Sequence, residues 1–150
     1  MAEVVRIICD RVKDDSREFN VVVGTDSQNF DKTKVVVVIA LHEVGHGGIF
    51  FYDVFHVKRL TNISDKLIFE TQTSLEYAHS FVTELGKYCN ETGCEYSNHF
   101  NFSIHVDAGH NGSSKQTIST IVGWIRSCGY DVVIKPDSFA ACSIANKYSK

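Results

Sequence analysis

Proline is nearly absent, with one residue in a chain of 150, and glycine is modest at ten. No stretch is of low complexity and no internal repeat is visible, so a long linker or an extended disordered tract is excluded. No apolar run reaches the 18 or so residues needed for a membrane-spanning helix, and Met1 to Asp10 has no signal-peptide core. Paired Cys-x-x-Cys spacing is missing too. The five cysteines, Cys9, Cys89, Cys94, Cys128 and Cys142, are odd in number and fit no zinc-knuckle pattern. They read as reduced core thiols of a cytoplasmic protein. An excess of positive charge is also lacking: the formal net charge is −3. A protein that holds nucleic acid by phosphate contacts alone is usually basic. Any such binding here must rest on local positive patches, on metal ions or on a partner.

The hydrophobic fraction is 43% over 150 residues, enough for one core. Residues 1–150 are therefore expected to form a single domain. Val4 to Val12 has helical spacing. Val21 to Asp26, Lys34 to His42 and Ile49 to Val57 read as strands, and the short loops between them favour an antiparallel meander. Four consecutive valines, Val35 to Val38, suit a strand covered on both faces. From Ser64 to Asn90 the period becomes helical, with Ser64 the expected N-cap and an apolar stripe through Ile68, Thr71, Leu75, Ala78, Val82, Leu85 and Cys89. Phe102 to Asp107 is a fourth strand. A helix capped by Ser113 or Ser114 runs to Ser127, Gly129 ends it, and Tyr130 to Lys135 is a fifth strand. Pro136, Asp137 and Ser138 open a last helix. The order β-β-β-α-β-α-β-α predicts an α/β fold: a mixed five-stranded sheet, three strands antiparallel and then parallel ones, flanked by helices on both faces. That is the order of the ribonuclease H fold.

Asp26 closes a valine strand, and an acid there must be hydrogen-bonded, metal-bound or solvent-facing. Asp107 closes the fourth strand. Two carboxylates at the ends of neighbouring parallel strands would lie close together, which favours a bound cation. Either could instead cap a turn. On the long helix, Glu76 and Glu84 point roughly 130° and 150° away from the apolar stripe, whereas Glu70 lies on its flank with Ser74, Tyr77 and Phe81. Glu70 is thus the helical acid best placed to face the sheet. Asp137 opens the last helix, near the strand ends where ligands gather in open α/β sheets, or it serves as an N-cap. Asn146 lies nine residues further on, roughly 13 Å along a helix, so both cannot serve one site. His105 shares a strand face with Asp107 and is either a partner of that acid or a core histidine. His110 sits in a loop with Gly109, Gly112, Ser113 and Ser114 that would suit a phosphate before a helix N-terminus. Lys115 and Lys135 either contact phosphates or are solvated.

Several segments together resemble the YkuK-type family of bacterial ribonuclease H-like proteins. They are Val-Gly-Thr-Asp-Ser-Gln from Val23 to Gln28, Phe-Glu-Thr around Glu70, and His-Val-Asp-Ala-Gly from His105 to Gly109. Lys-Pro-Asp-Ser-Phe-Ala-Ala from Lys135 to Ala141 and Ala-Asn-Lys-Tyr-Ser-Lys from Ala145 to Lys150 complete the set. The resemblance implies a site of two divalent metals, Mg2+ or Mn2+, held by a strand-one Asp, a first-helix Glu, a strand-four Asp and a last-helix acid. Carried over, these are Asp26, Glu70, Asp107 and Asp137, with Asn146 the alternative for the fourth. Such a site would hydrolyse phosphodiester bonds of RNA, DNA or a hybrid, with Ser27, His105, His110, Lys115 and Asn146 as substrate-binding candidates. The competing expectation is a non-catalytic module that binds nucleic acid or protein on the same fold. A nucleotide-binding lobe is a third, disfavoured because one lobe of this size cannot close over ATP.

Overall fold

A computed structural model of the chain describes residues 1–12, 19–43, 47–93, 100–108, 115–135, 137 and 138. Helix α1 (Ala2–Val12) buries Val5, Ile8, Cys9 and Val12, the i, i+3, i+4, i+7 stripe of an amphipathic helix. Strands β1 (Phe19–Asn29), β2 (Thr33–Glu43) and β3 (Gly47–Val57) form the antiparallel meander. Helix α2 (Ile63–Thr92) crosses to β4 (Phe100–His105), and α3 (Lys115–Ser127) to β5 (Asp131–Val133). The five strands lie in the order β3-β2-β1-β4-β5, with β1 parallel to β4 and β4 parallel to β5. The expected α/β architecture of a mixed five-stranded sheet with helices is therefore present, but the three described helices share one face where helices on both were expected.

The pairing of β1 with β2 skips no residue from Phe19–Glu43 to Asn29–Thr33. Side chains thus alternate strictly between the two faces along β1. Val21, Val23, Val37, Ile39, Leu41 and Ile104 face one way and join the main core with α1, α2 and α3. Val22, Val36, Val38 and Ala40 face the other way and form a second buried cluster. The run Val35–Val38 is buried on both faces, as its composition predicts. Among the described residues, all three helices pack on the first face. The last helix expected from Asp137 onward lies outside the described residues apart from Asp137 and Ser138.

Two expectations for α2 are corrected. Its N-cap is Asn62 and not Ser64. Asn62 has extended backbone and its side chain accepts from the Asp65 amide at 2.7 Å, while the Ser64 hydroxyl is engaged with that of Thr117 at 3.0 Å. The buried stripe is also rotated. Ile68 and Val82 are 44% and 39% exposed, whereas Phe81 is fully buried against Phe102 of β4. An aromatic ring has more apolar surface to lose than Val82, so the helix turns Phe81 inward. The rotation brings Ser74 and Glu70, on the Phe81 flank, towards the sheet. The thiols also differ from a uniform core set: Cys9 is buried, Cys89 half-buried and Cys128 exposed. Gly129 ends α3 in a left-handed conformation, φ 90°, as its position predicts.

Replacing Phe81 with Ala should destabilise the protein by about 3–5 kcal/mol. Replacing Asn62 with Ala should cost about 1 kcal/mol. Denaturant midpoints at constant m-value check both, and an equal effect of the two would contradict the burial just described.

Candidate active site

The C-terminal half of β1 exchanges valine for hydroxyls. Thr25 and Ser27 stand two residues apart and so share the face that meets α2. Thr25 Oγ1 lies 2.7 Å from Ser74 Oγ, and Ser27 Oγ donates to Glu70 Oε1 at 2.5 Å. The two bonds fit because the repeats match. Two strand residues span roughly 6.7 Å and four helical residues roughly 6 Å, with α2 running opposite to β1. Glu70 is fixed at the end of this ladder.

The charges of two further acids, Asp26 of β1 and Asp107 just past β4, reach Glu70. The β1–β4 register, in which Gly24 pairs with His105, places Asp26 level with Asp107 just past the last paired residues. Adjacent strands are roughly 4.8 Å apart. The negative charges of both aspartates act on Glu70, and burial acts more strongly still. Together they push its pKa up to about 8, against the opposing effects of the Ser27 hydrogen bond and the Lys66 charge. Glu70 and Asp107 border one small cavity of about 10 Å3, the scale of a single water, with Thr25, Ser74 and His105 among its other walls.

Asp107 is held by a cation. Lys135 Nζ lies 3.0 Å from Asp107 Oδ1, because the β4–β5 ladder continues through Lys135 N to Ala108 O at 3.0 Å. His105 is 6% exposed on β4. Burial pulls its pKa down to about 4, so it is a neutral imidazole beside the acids. Asp137 is exposed past β5, its amide donating to Ile134 O at 2.9 Å, and its charge is not among those acting on Glu70. Lys115 is exposed at the start of α3, near the first turn of α2 through the Ser64–Thr117 contact. His110 and Asn146 lie outside the described residues. Among the described residues, no three His, Cys, Asp or Glu side chains are gathered so as to hold a metal ion.

The partners that sequence reasoning missed are Thr25 with Ser74, Ser27 as the anchor of Glu70, and Lys135 as the counter-charge of Asp107. The first two had a signal: hydroxyls at i and i+2 on a valine strand, and polar groups at i and i+4 on a helix flank. The third had none, since it depends on how far β5 runs alongside β4.

Asp26 does not close its strand as expected: β1 continues to Asn29 and Asp26 pairs with Val36 inside it, because β2 supplies backbone partners as far as Thr33. A sheet of this order, with α2 crossing between β3 and β4, agrees with a family model described as Ribonuclease H-like, which matches residues 3–150. The chain belongs to the ribonuclease H-like family. Within it, the chain is 31% identical over 147 residues to the "Uncharacterized protein YkuK" of Bacillus subtilis (strain 168), covering 92% of this chain and 83% of that protein. The YkuK-type resemblance is thereby borne out. A solved structure of the Mos1 transposase catalytic domain with raltegravir and Mg aligns with 87% of this ribonuclease H-like chain. The identity is 13%, the TM-score 0.31, and 57% of the transposase chain is covered.

The raised pKa of Glu70 has a consequence for metal-free protein. Its carboxyl ionises at the ordinary 4.5 when unfolded and near 8 when folded. Folding stability is therefore lost as pH rises through that interval. Glu70→Gln keeps the hydrogen bond from Ser27 but removes the titration. In EDTA the variant should match wild type near pH 4.5 and exceed it by roughly 2–4 kcal/mol at pH 8. Urea melts at a series of pH values measure this, and a pH-independent difference would show that Glu70 is not held by burial and its acidic neighbours.

Proposed function

We propose that this chain is a divalent-metal-dependent nuclease that hydrolyses phosphodiester bonds of RNA, DNA or a hybrid at the Asp26, Glu70 and Asp107 cluster. The observation that supports the reading is that buried Glu70 of α2 borders one small cavity with Asp107 and feels the charges of both Asp107 and Asp26. Such repulsion is offset by a bound cation. The donors are hard oxygens, which suit Mg2+ or Mn2+. A bound metal pair would polarise the phosphoryl group and supply an activated water at neutral pH.

The roles of the chain's own groups follow from their positions. Asp26 and Asp107, level with each other across β1 and β4, would bridge or bind the metals. Glu70, ionised once a cation lies beside it, would hold one metal and orient the water, with Ser27 fixing its second oxygen in direction. Lys135 must leave Asp107 for that to happen and is then free to meet a phosphate. Asp137, two residues beyond Lys135, would complete the ligand set, as Asn146 would in its place. His105 would support the acids from beneath, and His110 and Lys115 would contact substrate. A soluble, cytoplasmic protein fits this reading; among the described residues no helix is long and apolar enough to cross a membrane.

The second reading, a binding module without catalysis, draws support from two observations. Lys135 already neutralises Asp107, and no three-ligand group is gathered among the described residues.

Incubation with labelled single strands, duplexes and hybrids in Mg2+ or Mn2+ separates the two. Cleavage is expected, abolished by EDTA and lowered about 100-fold or more in Asp26→Asn. Lys135→Ala should lower the metal concentration needed for half-maximal rate. Full activity in Asp26→Asn would refute the assignment. Intact binding with no cleavage in any metal would establish the second reading.

A further inference from the structure

The acids lie at one end of the sheet, and the next feature along β1 is a hairpin turn of unusual composition. Gln28 pairs with Lys34 and Asn29 with Thr33, and the amide of Phe30 donates to the carbonyl of Lys32 at 2.8 Å. The three-residue tip is thus Phe30, Asp31 and Lys32. Phe30 is 52% exposed. A single exposed ring is ordinary on a protein surface, so its surroundings decide its meaning.

Those surroundings are basic and fixed. Buried Thr33 donates from Oγ1 to Asn29 Oδ1 at 2.6 Å and accepts from the Leu60 amide at 2.9 Å, while Asn29 Nδ2 donates to Leu60 O at 2.8 Å. This bracket ties the hairpin tip to the segment after β3. Exposed Lys58 and Arg59 immediately precede Leu60, and Lys34 lies opposite His56 in the β2–β3 register. Lys32, Lys34, Lys58 and Arg59 therefore surround the base of the Phe30 turn, and among the described residues none of them forms an ion pair. The opposing charges are few. Asp31 sits at the tip, and Asp65 is engaged by the Asn62 side chain at 2.9 Å. In a chain of net charge −3, this is a local concentration of the opposite sign. Lys66, one turn before Glu70, has a charge that reaches that carboxyl and so continues the basic track to the acids.

We infer that the Phe30 hairpin and the Lys58–Arg59 segment form a platform for single-stranded nucleic acid, in which Phe30 stacks on an unpaired base and the four cations hold the flanking phosphates. An aromatic ring beside a backbone-tracking row of cations is the arrangement by which proteins hold single strands with little sequence preference. A duplex hides its base faces in its own stack, so Phe30 selects the single strand. The turn is already ordered by its side-chain bracket, so little freedom is lost on binding. Four residues of extended chain, roughly 13 Å, separate Phe30 from Asp26. A strand stacked at the turn thus runs on to the acid cluster. The choice of nucleic acid as ligand rests on the nuclease reading; the binding itself does not.

The test is fluorescence anisotropy with a labelled single-stranded RNA, a single-stranded DNA of the same sequence and the matching DNA duplex, in EDTA so that nothing is cleaved. Wild type should bind both single strands more tightly than the duplex. Phe30→Ala should weaken single-strand binding about fivefold or more while leaving duplex binding and the salt slope unchanged. Lys58→Ala with Arg59→Ala should lower the salt slope by about one to one and a half. Lys87→Ala, near the far end of α2, should change neither. All four positions are exposed, and unchanged thermal melting confirms that the variants fold. Wild-type affinity in Phe30→Ala, or equal affinity for duplex and single strand, overturns the platform. If Phe30→Ala binds as wild type while Asp26→Asn loses cleavage, the platform fails and the nuclease reading stands. If no cleavage occurs but binding depends on Phe30, the reverse holds.

Discussion

The two-rung polar ladder between β1 and α2 is the contact on which the rest of the site depends. Thr25 with Ser74 and Ser27 with Glu70 are the points where the longest helix is pinned to the central strand by something directional. Apolar packing alone would hold α2 against the sheet but tolerate sliding or rotation, because dispersion and hydrophobic burial carry little directional preference. A pair of hydroxyl contacts sets both the rotation and the height of the helix. Glu70 is thereby held where the charges of Asp26 and Asp107 reach it.

This pinning places an acid where water is scarce. Glu70 is held by a hydroxyl on one side and crowded by negative charge on the other, so it holds its proton to about pH 8. The neighbouring Asp107 is balanced by Lys135. The two acids thus resolve the same electrostatic problem differently, one by retaining a proton and the other by recruiting a lysine. Both solutions are reversible, and a cation arriving between the strands would replace both. The buried, uncharged His105 nearby adds no positive charge to this balance.

The second bracket, Asn29, Thr33 and Leu60, does for the hairpin what the ladder does for the helix. It uses a buried threonine as both donor and acceptor to join segments nearly thirty residues apart. The consequence is that acidic and basic surfaces lie next to each other on one edge of the molecule. A chain of modest net negative charge can therefore present a locally positive approach to an acidic centre, one of the routes its composition left open.

Much of this was legible in the sequence. The valine runs dictated strands, the switch from period two to period 3.6 dictated where helices begin, and the order of elements left few topologies. Asp26, Asp107 and Glu70 stood out as candidates where polar residues interrupt those patterns, and parallel register brings Asp26 level with Asp107. The rotation of α2 did not follow, because Phe81 and Val82 are adjacent and both apolar; only the presence of Phe102 on the facing strand decides which turns inward. The same limit hid Lys135 as the partner of Asp107 and Lys58 and Arg59 as neighbours of Phe30. Sequence fixes which elements form and in what order, since that depends on local periodicity. Which side chains meet across elements depends on register and on hydrogen bonds between residues far apart in the chain, and those exist only once the sheet and helices have packed.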